Sequence, residues 1–297
     1  MEATAIESAQ AISHSPQFKY VPSSRRELLD LRMLWNLIPS VSSDSLIMGY
    51  ETYLRLTKYS RIDEQSCNLY YTHQNDHIES QTLNRFSKIL VMNRALKSKM
   101  VSEGVIENRI QITYGAIDKQ RFNSSSRIPK IDTGLPSNYV LFSSDCKSRK
   151  NPEKVLALIG FMPDIEFVIH GKSWNRQHAK RMSELPNLKY IEFDFEIQPY
   201  LMRSASAFVS LSSLEGGPYP LLEALASGTP VVVSRTGFAE DFVESSNGYI
   251  VEHHDNLTII SQYVRGALKL KKHVRSSDLT NRDLSWSRLG IDLYSRM

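Results

Sequence analysis

Residues 139–173 read "YVLFSSDCKSRKNPEKVLALIGFMPDIEFVIHGKS", and the order of their parts decides the fold. The run YVLFSS is apolar, a basic polar loop follows, NPEKVLALIGFM reads as a helix, and IEFVIHG is apolar again. A strand, a crossover helix and a second strand predict a parallel pair, because a helix is the usual way to carry the chain back to the start of a parallel neighbour. The alternation continues through a helix near residues 174–184, LKYIEF, helix IQPYLMRSA, AFVSLS, helix PLLEALASG, PVVVS, helix FAEDFVES and GYIV. Each strand is nearly continuous in apolar residues, as for strands covered on both faces. The expectation is a doubly wound sheet whose ligand lies beyond the strands' carboxyl ends, where the loops after Ser143, Gly171, Ser212 and Ser234 would cluster.

Toward the N-terminus a second series appears: SLIMG, helix YETYLRLTKY, CNLYYTH, KILVM, helix NRALKSKMVSEG and RIQITYG. Between the two series, residues 123–138, "NSSSRIPKIDTGLPSN", have a linker's composition. Further upstream, "RRELLDLRMLWNLI" spaces Leu28, Leu29, Leu31, Leu34 and Leu37 as an amphipathic helix does. Packing against a sheet is the favoured reading of that stripe; a peripheral membrane contact through Arg25, Arg26 and Arg32 is the alternative.

Composition bounds the function classes. The 297 residues are 41% hydrophobic and 23% charged, ordinary globular material and enough for two domains. A formal charge of +4 on 36 basic and 32 acidic residues demands no nucleic acid, and none is expected as a partner. Cys67 and Cys146 have neither disulfide nor zinc spacing, which points to a reducing compartment. No segment approaches the roughly 18 to 20 apolar residues of a spanning helix, and the opening residues lack a signal peptide's pattern. The expected location is cytoplasmic, with the inner face of a membrane left open by the amphipathic stretch.

Chemistry concentrates at residues 214–234, "LEGGPYPLLEALASGTPVVVS". Pro220 suits a helix's first turn, and Gly228 with Pro230 suits its end, which places Glu223 in the first turn. Gly216 and Gly217 allow a closely approachable backbone at the helix start, where free N–H groups favour a phosphate. Glu215 and Glu223 beside such a bend suit a ligand that also carries hydroxyls, since a carboxylate accepts two hydrogen bonds from a diol. Phosphate and diol together describe a nucleotide sugar. Taken as an isolated pair, the two glutamates read more readily as a solvated loop residue and a helix-start acid.

The pattern extends further. "EGGPYPLLEALASGTPVVVS" resembles, in order and spacing, the E-x7-E signature of the retaining glycosyltransferases of the GT-B fold, family 4. Residues 139–173 look like that family's first donor-domain strand, basic loop, helix and second strand, with Lys150 at the lysine that meets the diphosphate. "KILVMNRALKSKMVSEGVIENRIQITYGAIDKQRF" resembles the end of the acceptor domain, keeping Asp118 and Phe122 of a short element before the linker. "LSWSRLGIDLYSRM" is similar to the family's returning C-terminal helix. The resemblance covers about residues 44–297.

The resemblance implies two Rossmann-like α/β domains facing a cleft, the N-terminal one shortened: acceptor side 1–132, donor domain 133–272, and a C-terminal helix over 273–297. It implies transfer of a hexose from a nucleotide diphosphate sugar to a saccharide or lipid-linked saccharide, with retention, as in polysaccharide biosynthesis. The acceptor hydroxyl attacks on the leaving-group side and a donor phosphate oxygen takes its proton. Neither a metal nor a cofactor is then needed, and the protein must stabilise charge on the departing diphosphate through Lys150, Arg149 and the amides near Gly216 and Gly217. Glu223 would bind ribose hydroxyls and Glu215 the sugar ring near the reacting centre. His73, in YYTHQ, stands where family members carry a histidine facing donor and acceptor; read alone it is as readily structural. Phe193 and Phe195 follow the third donor-domain strand, where the nucleobase lies, although aromatics there are more often core. His77, His170, His253 and His254 read as surface or packing residues.

Three departures from the family pattern stand out. Asp145 takes the place of an arginine before the basic loop, which calls for Arg149 to turn in as the replacement charge. No glycine precedes Gly49, so the acceptor domain's opening strand and Gly-rich loop are expected to be absent. Gly217, Pro218 and Tyr219 replace a phenylalanine–glycine pair. Two rivals to the transferase remain: an inactive binding or scaffold subunit, and an epimerase of the same fold, which would need further acid and base groups.

Overall fold

The computed structural model describes residues 45–57, 62–71, 79–123, 134–270 and 282–294. The amphipathic stretch 25–38, most of the linker, and His73 and His77 lie outside the described residues. The chain divides into two compact units, Met1–Ala116 with Leu284–Met297, and Ile117–Asp283. The divisions thus fall at 116/117 and 283/284 rather than at 132/133 and 272/273. The earlier first division has a local cause: Arg121 lies 3.9 Å above the Phe195 ring and donates to Phe195 O at 2.8 Å, which holds the end of GAIDKQRF to the second unit.

In the first unit, β1 (Ser45–Met48), β2 (Cys67–Tyr71), β3 (Lys88–Val91) and β4 (Ile110–Ile112) form a wholly parallel sheet in that order. Helix α1 (Tyr50–Leu56) follows Gly49, whose φ of 96° turns the chain out of β1. Its Tyr50 and Tyr53 pack with Tyr71 and Phe86 over the sheet. A short helix, α2 (Ser80–Leu83), precedes β3. Helix α3 (Arg94–Ser102) starts at Asn93, whose side chain accepts the Leu96 N–H at 2.7 Å and so caps an otherwise orphan donor.

The second unit holds β5 (Val140–Ser143), β6 (Phe167–Gly171), β7 (Leu188–Glu192), β8 (Ala207–Ser210), β9 (Val231–Ser234) and β10 (Gly248–Val251). They pair in parallel in the order β10-β9-β8-β5-β6-β7. The crossovers are α4 (Pro152–Phe161), α5 (Trp174–Ser183), α6 (Gln198–Ser204), α7 (Tyr219–Ala226) and α8 (Ala239–Phe242). A further helix, α9 (Leu257–Ala267), buries Ile260, Val264 and Ala267. β5, β6 and β9 are buried throughout, as their apolar runs predict; β7 and β10 are the sheet's edges and are partly open despite similar runs. Helix α10 (Trp286–Tyr294) belongs to the first unit, where Asn68 Nδ2 donates to Leu293 O at 3.2 Å and Gln111 Nε2 to Asp292 Oδ1 at 2.9 Å.

Candidate functional site

The strand order of the second unit reverses at β5, which has β6 on one side and β8 on the other. The chain leaves β5 and β8 toward opposite sides of the sheet, and the carboxyl ends at such a reversal are the place where doubly wound sheets bind ligands. Hydrogen bonds stitch the loops after β5 and β8 together: Ser213 N–H and Oγ donate to Arg149 O at 2.7 and 3.2 Å, and Asn151 Nδ2 donates to Leu211 O at 2.8 Å. Asn151 does so in a left-handed conformation, with φ 51°, just after the 3-10 turn Ser148–Lys150.

The stitched loops bring together residues that are far apart in sequence. Arg149 Nη1 donates to Glu215 Oε2 at 2.7 Å and to Leu214 O at 3.1 Å, and Lys150 pairs with Glu215 Oε1. The Glu215 side chain is only 6% exposed. Burial raises its carboxyl, but Lys150 and Arg149 outweigh burial and hold it below the ordinary carboxylate range. The Arg149 guanidinium thus faces Glu215. Asp145, the acid of unexpected sign, is neutralised locally by Lys147 at 3.6 Å on an open surface.

The bend itself is built differently from its glycine pair's promise. Among the described residues neither Gly216 nor Gly217 has a positive φ; the bend leans on Gly237, at φ 58°. A Cβ at Gly237 would lie 2.6 Å from Pro218 Cδ and 3.1 Å from Glu215 Cβ, so the following loop presses closely on the bend. Glu215 N–H donates to Thr236 Oγ1 at 2.9 Å. Helix α7 begins at Tyr219, which moves Glu223 out of the expected first turn into the second, and it ends before Gly228 at φ 74°. Pro218 and Pro220 bring no N–H to the helix start, so attraction for an anion comes chiefly from Arg149 and Lys150 rather than from the backbone alone.

Glu223 has quite different surroundings. Its Oε2 accepts from Gln198 Nε2 at 2.6 Å, and Gln198 Oε1 accepts from Ser143 Oγ at 3.1 Å. Burial pushes the Glu223 carboxyl up to about 7, against the opposing pull of the Gln198 bond and the Arg121 charge. The two glutamates, alike in sequence, are thus an ion-paired carboxylate and a group poised near neutrality. Beside Gln198, His170 is buried; its Nε2 accepts the Asp194 N–H at 2.9 Å and burial lowers its basicity. Phe193 stacks on that imidazole with centroids 5.0 Å apart, and Lys172 Nζ lies 5.1 Å from the Phe193 ring. Phe195 is 52% exposed beneath Arg121. Arg149, Lys150, Glu215, Gly216, Gly217, Glu223 and Phe193 all belong to the second unit, whereas His73 falls outside the described residues. Neither Gln198 nor Arg121 is marked as a site residue by the sequence pattern. A glutamine beside a proline at a helix start looks solvent-facing, and nothing in the spacing sets it against Ser143 and Glu223.

Among the described residues, no group of three or more His, Cys, Asp or Glu side chains could hold a metal ion, and no helix is long and apolar enough to cross a membrane. At the level of sequence, no curated protein matches the chain. Solved structures match in fold. WaaG, a glycosyltransferase involved in lipopolysaccharide biosynthesis, superposes with TM-score 0.67 at 12% identity, over 99% of this chain and 96% of its own. Sucrose-phosphate synthase from Thermosynechococcus elongatus gives 0.66 at 13%, over 93% and 79%. HepE of Anabaena, solved in complex with UDP-glucose, gives 0.58 at 15%, over 84% and 74%. All three place the two parallel α/β units in the GT-B class of Rossmann-like folds. The family profile matches residues 126–279, more than half of the sequence, and the chain belongs to the glycosyl transferases group 1.

Proposed function

We propose that the protein transfers a hexose from a nucleotide diphosphate sugar to a hydroxyl of a saccharide or lipid-linked saccharide, with retention at the anomeric carbon. The observation that carries this reading is the meeting of Arg149 and Lys150 with Glu215 at the reversal of strand order. Two fixed cations there, one of them largely buried, are what a departing diphosphate needs. The acceptor oxygen bonds to the anomeric carbon as its bond to the phosphate oxygen breaks, and the acceptor proton passes to that leaving oxygen. Glu223 takes the ribose hydroxyls, Glu215 lies toward the sugar ring, and the amides of Gly216 and Gly217 assist at the phosphates. Phe193 borders the base, and His73 acts on the acceptor side. The two cations supply the charge that a metal would otherwise bring.

The test is turnover of a panel of UDP- and GDP-hexoses with saccharide acceptors, with UDP-glucose first because HepE was solved with it. The expected product keeps the donor's anomeric configuration by proton NMR. Lys150→Ala should lower kcat by roughly 10²–10³. If no donor turns over, and Glu215→Ala leaves donor affinity unchanged, the enzyme reading gives way to a binding or scaffold subunit.

A further inference from the structure

Gln198 is 4% exposed, and both ends of its carboxamide are engaged. The Ser143 hydroxyl, at the end of β5, donates to Oε1, while Nε2 at the start of α6 donates to Glu223 in α7. With Glu223 ionised the carboxylate settles which way the amide faces, because the reverse orientation would set an acceptor against an acceptor. A buried glutamine left unsatisfied would be a liability; this one links a strand end to a candidate ligand-binding carboxyl through two bonds. The other charge acting on Glu223 is Arg121, from the segment before the linker. His170, at the end of β6, adjoins Gln198, and Asp194 and Glu192 act on it in turn. Among the described residues, no protein donor reaches Glu223 Oε1.

We infer that Gln198 is a positioning residue for the transfer: its bond to Oε2 holds the Glu223 carboxyl in one orientation, anchored to β5 through Ser143, and leaves Oε1 to meet a hydroxyl of the nucleotide sugar. This rests on the proposed role of Glu223. An N–H can only donate, so Gln198 binds Oε2 in either protonation state, and a neutral Glu223 carries its proton on Oε1. A hydroxyl can still accept from that O–H, but as a donor to the ionised Oε1 it makes the stronger, charge-assisted bond. Donor binding should tighten as pH rises through about 7, the range in which Glu223 ionises.

The test compares the native protein with Gln198→Met, Ser143→Ala and Glu223→Gln. Carbon-13 NMR of glutamate-labelled protein follows the Glu223 titration without any ligand, and steady-state kinetics follow the KM for UDP-hexose and kcat across pH 5.5 to 9. Gln198→Met removes a bond that favours the ionised form, so the Glu223 titration moves upward. At pH 7 the KM should rise about tenfold, as expected for losing a hydrogen bond to a charged group, while kcat at high pH stays within about twofold. Ser143→Ala, which keeps the Gln198–Glu223 bond but frees its anchor, should show the same changes on a smaller scale and serves if the methionine variant fails to fold. Glu223→Gln should flatten the pH dependence of KM. An unmoved titration in both Gln198→Met and Ser143→Ala sinks the inference alone. An unmoved KM in Glu223→Gln sinks the role of Glu223 in the donor site, and the inference with it.

Discussion

Glu223 gains its charge only near pH 7, because burial penalises the ionised form, and this fixes the sign of its contribution to stability. Its folded value lies above the ordinary 4.5, so its contribution is fully present below about 4.5 and is lost as pH rises toward 7. Glu223→Gln should therefore come close to the native protein in urea denaturation at pH 4.5 and exceed it at pH 8 by on the order of 3 kcal/mol. Glu215 behaves in the opposite way. Its folded value is depressed, so its contribution is present above 4.5 and is lost as pH falls through the depressed value. At pH 7, Glu215→Gln removes the partner of Arg149 and Lys150 and should cost about 2–3 kcal/mol. An anion entering between those cations must take them from Glu215, so its binding is an exchange. Pyrophosphate should accordingly raise the Tm of Glu215→Gln more than that of the native protein; equal shifts would contradict the exchange.

At the scale of elements, the loop that carries Arg149 and Lys150 is seated by close packing as well as by hydrogen bonds. A Cβ on Gly171, at the end of β6, would lie 1.8 Å from Ser144 O, and the buried Trp174 indole donates to that same oxygen at 2.8 Å. Gly171→Ala must displace backbone rather than a side-chain tip, and should cost about 3 kcal/mol or more while also lowering turnover. A mutant of native stability would show that the loop yields freely. Strands such as VVVS and YVLFSS were legible because burial on both faces writes an unbroken apolar run. Helix α9 was legible too: Ile260, Val264 and Ala267 fall at the i, i+4, i+7 spacing of a buried helix face, behind the capping Asn256. The Arg149–Glu215 pair was not legible: its partners are 66 positions apart, and they meet only because β8 rather than β9 lies beside β5. Apolar runs predict that strands exist but say little about their order.

At the scale of the whole molecule, α10 is part of the first unit although 167 residues of the second unit, Ile117–Asp283, precede it in the chain. Leu284, Leu289 and Leu293 are buried, and Asp292 is bonded by Arg288 and Gln111. Ending the chain at Asp283 should destabilise the first unit by roughly 4 kcal/mol or more, since several buried leucines go at once. Two calorimetric transitions are expected to separate, the first unit melting earlier and the second at its native temperature; a single unshifted transition would refute this. The same connectivity orders events at the ribosome. The second unit has all its strands before α10 has been made, so the part of the chain begun first is completed last. Until then β2 and its neighbours wait with the leucine seats uncovered, a nascent surface on which a chaperone has reason to act.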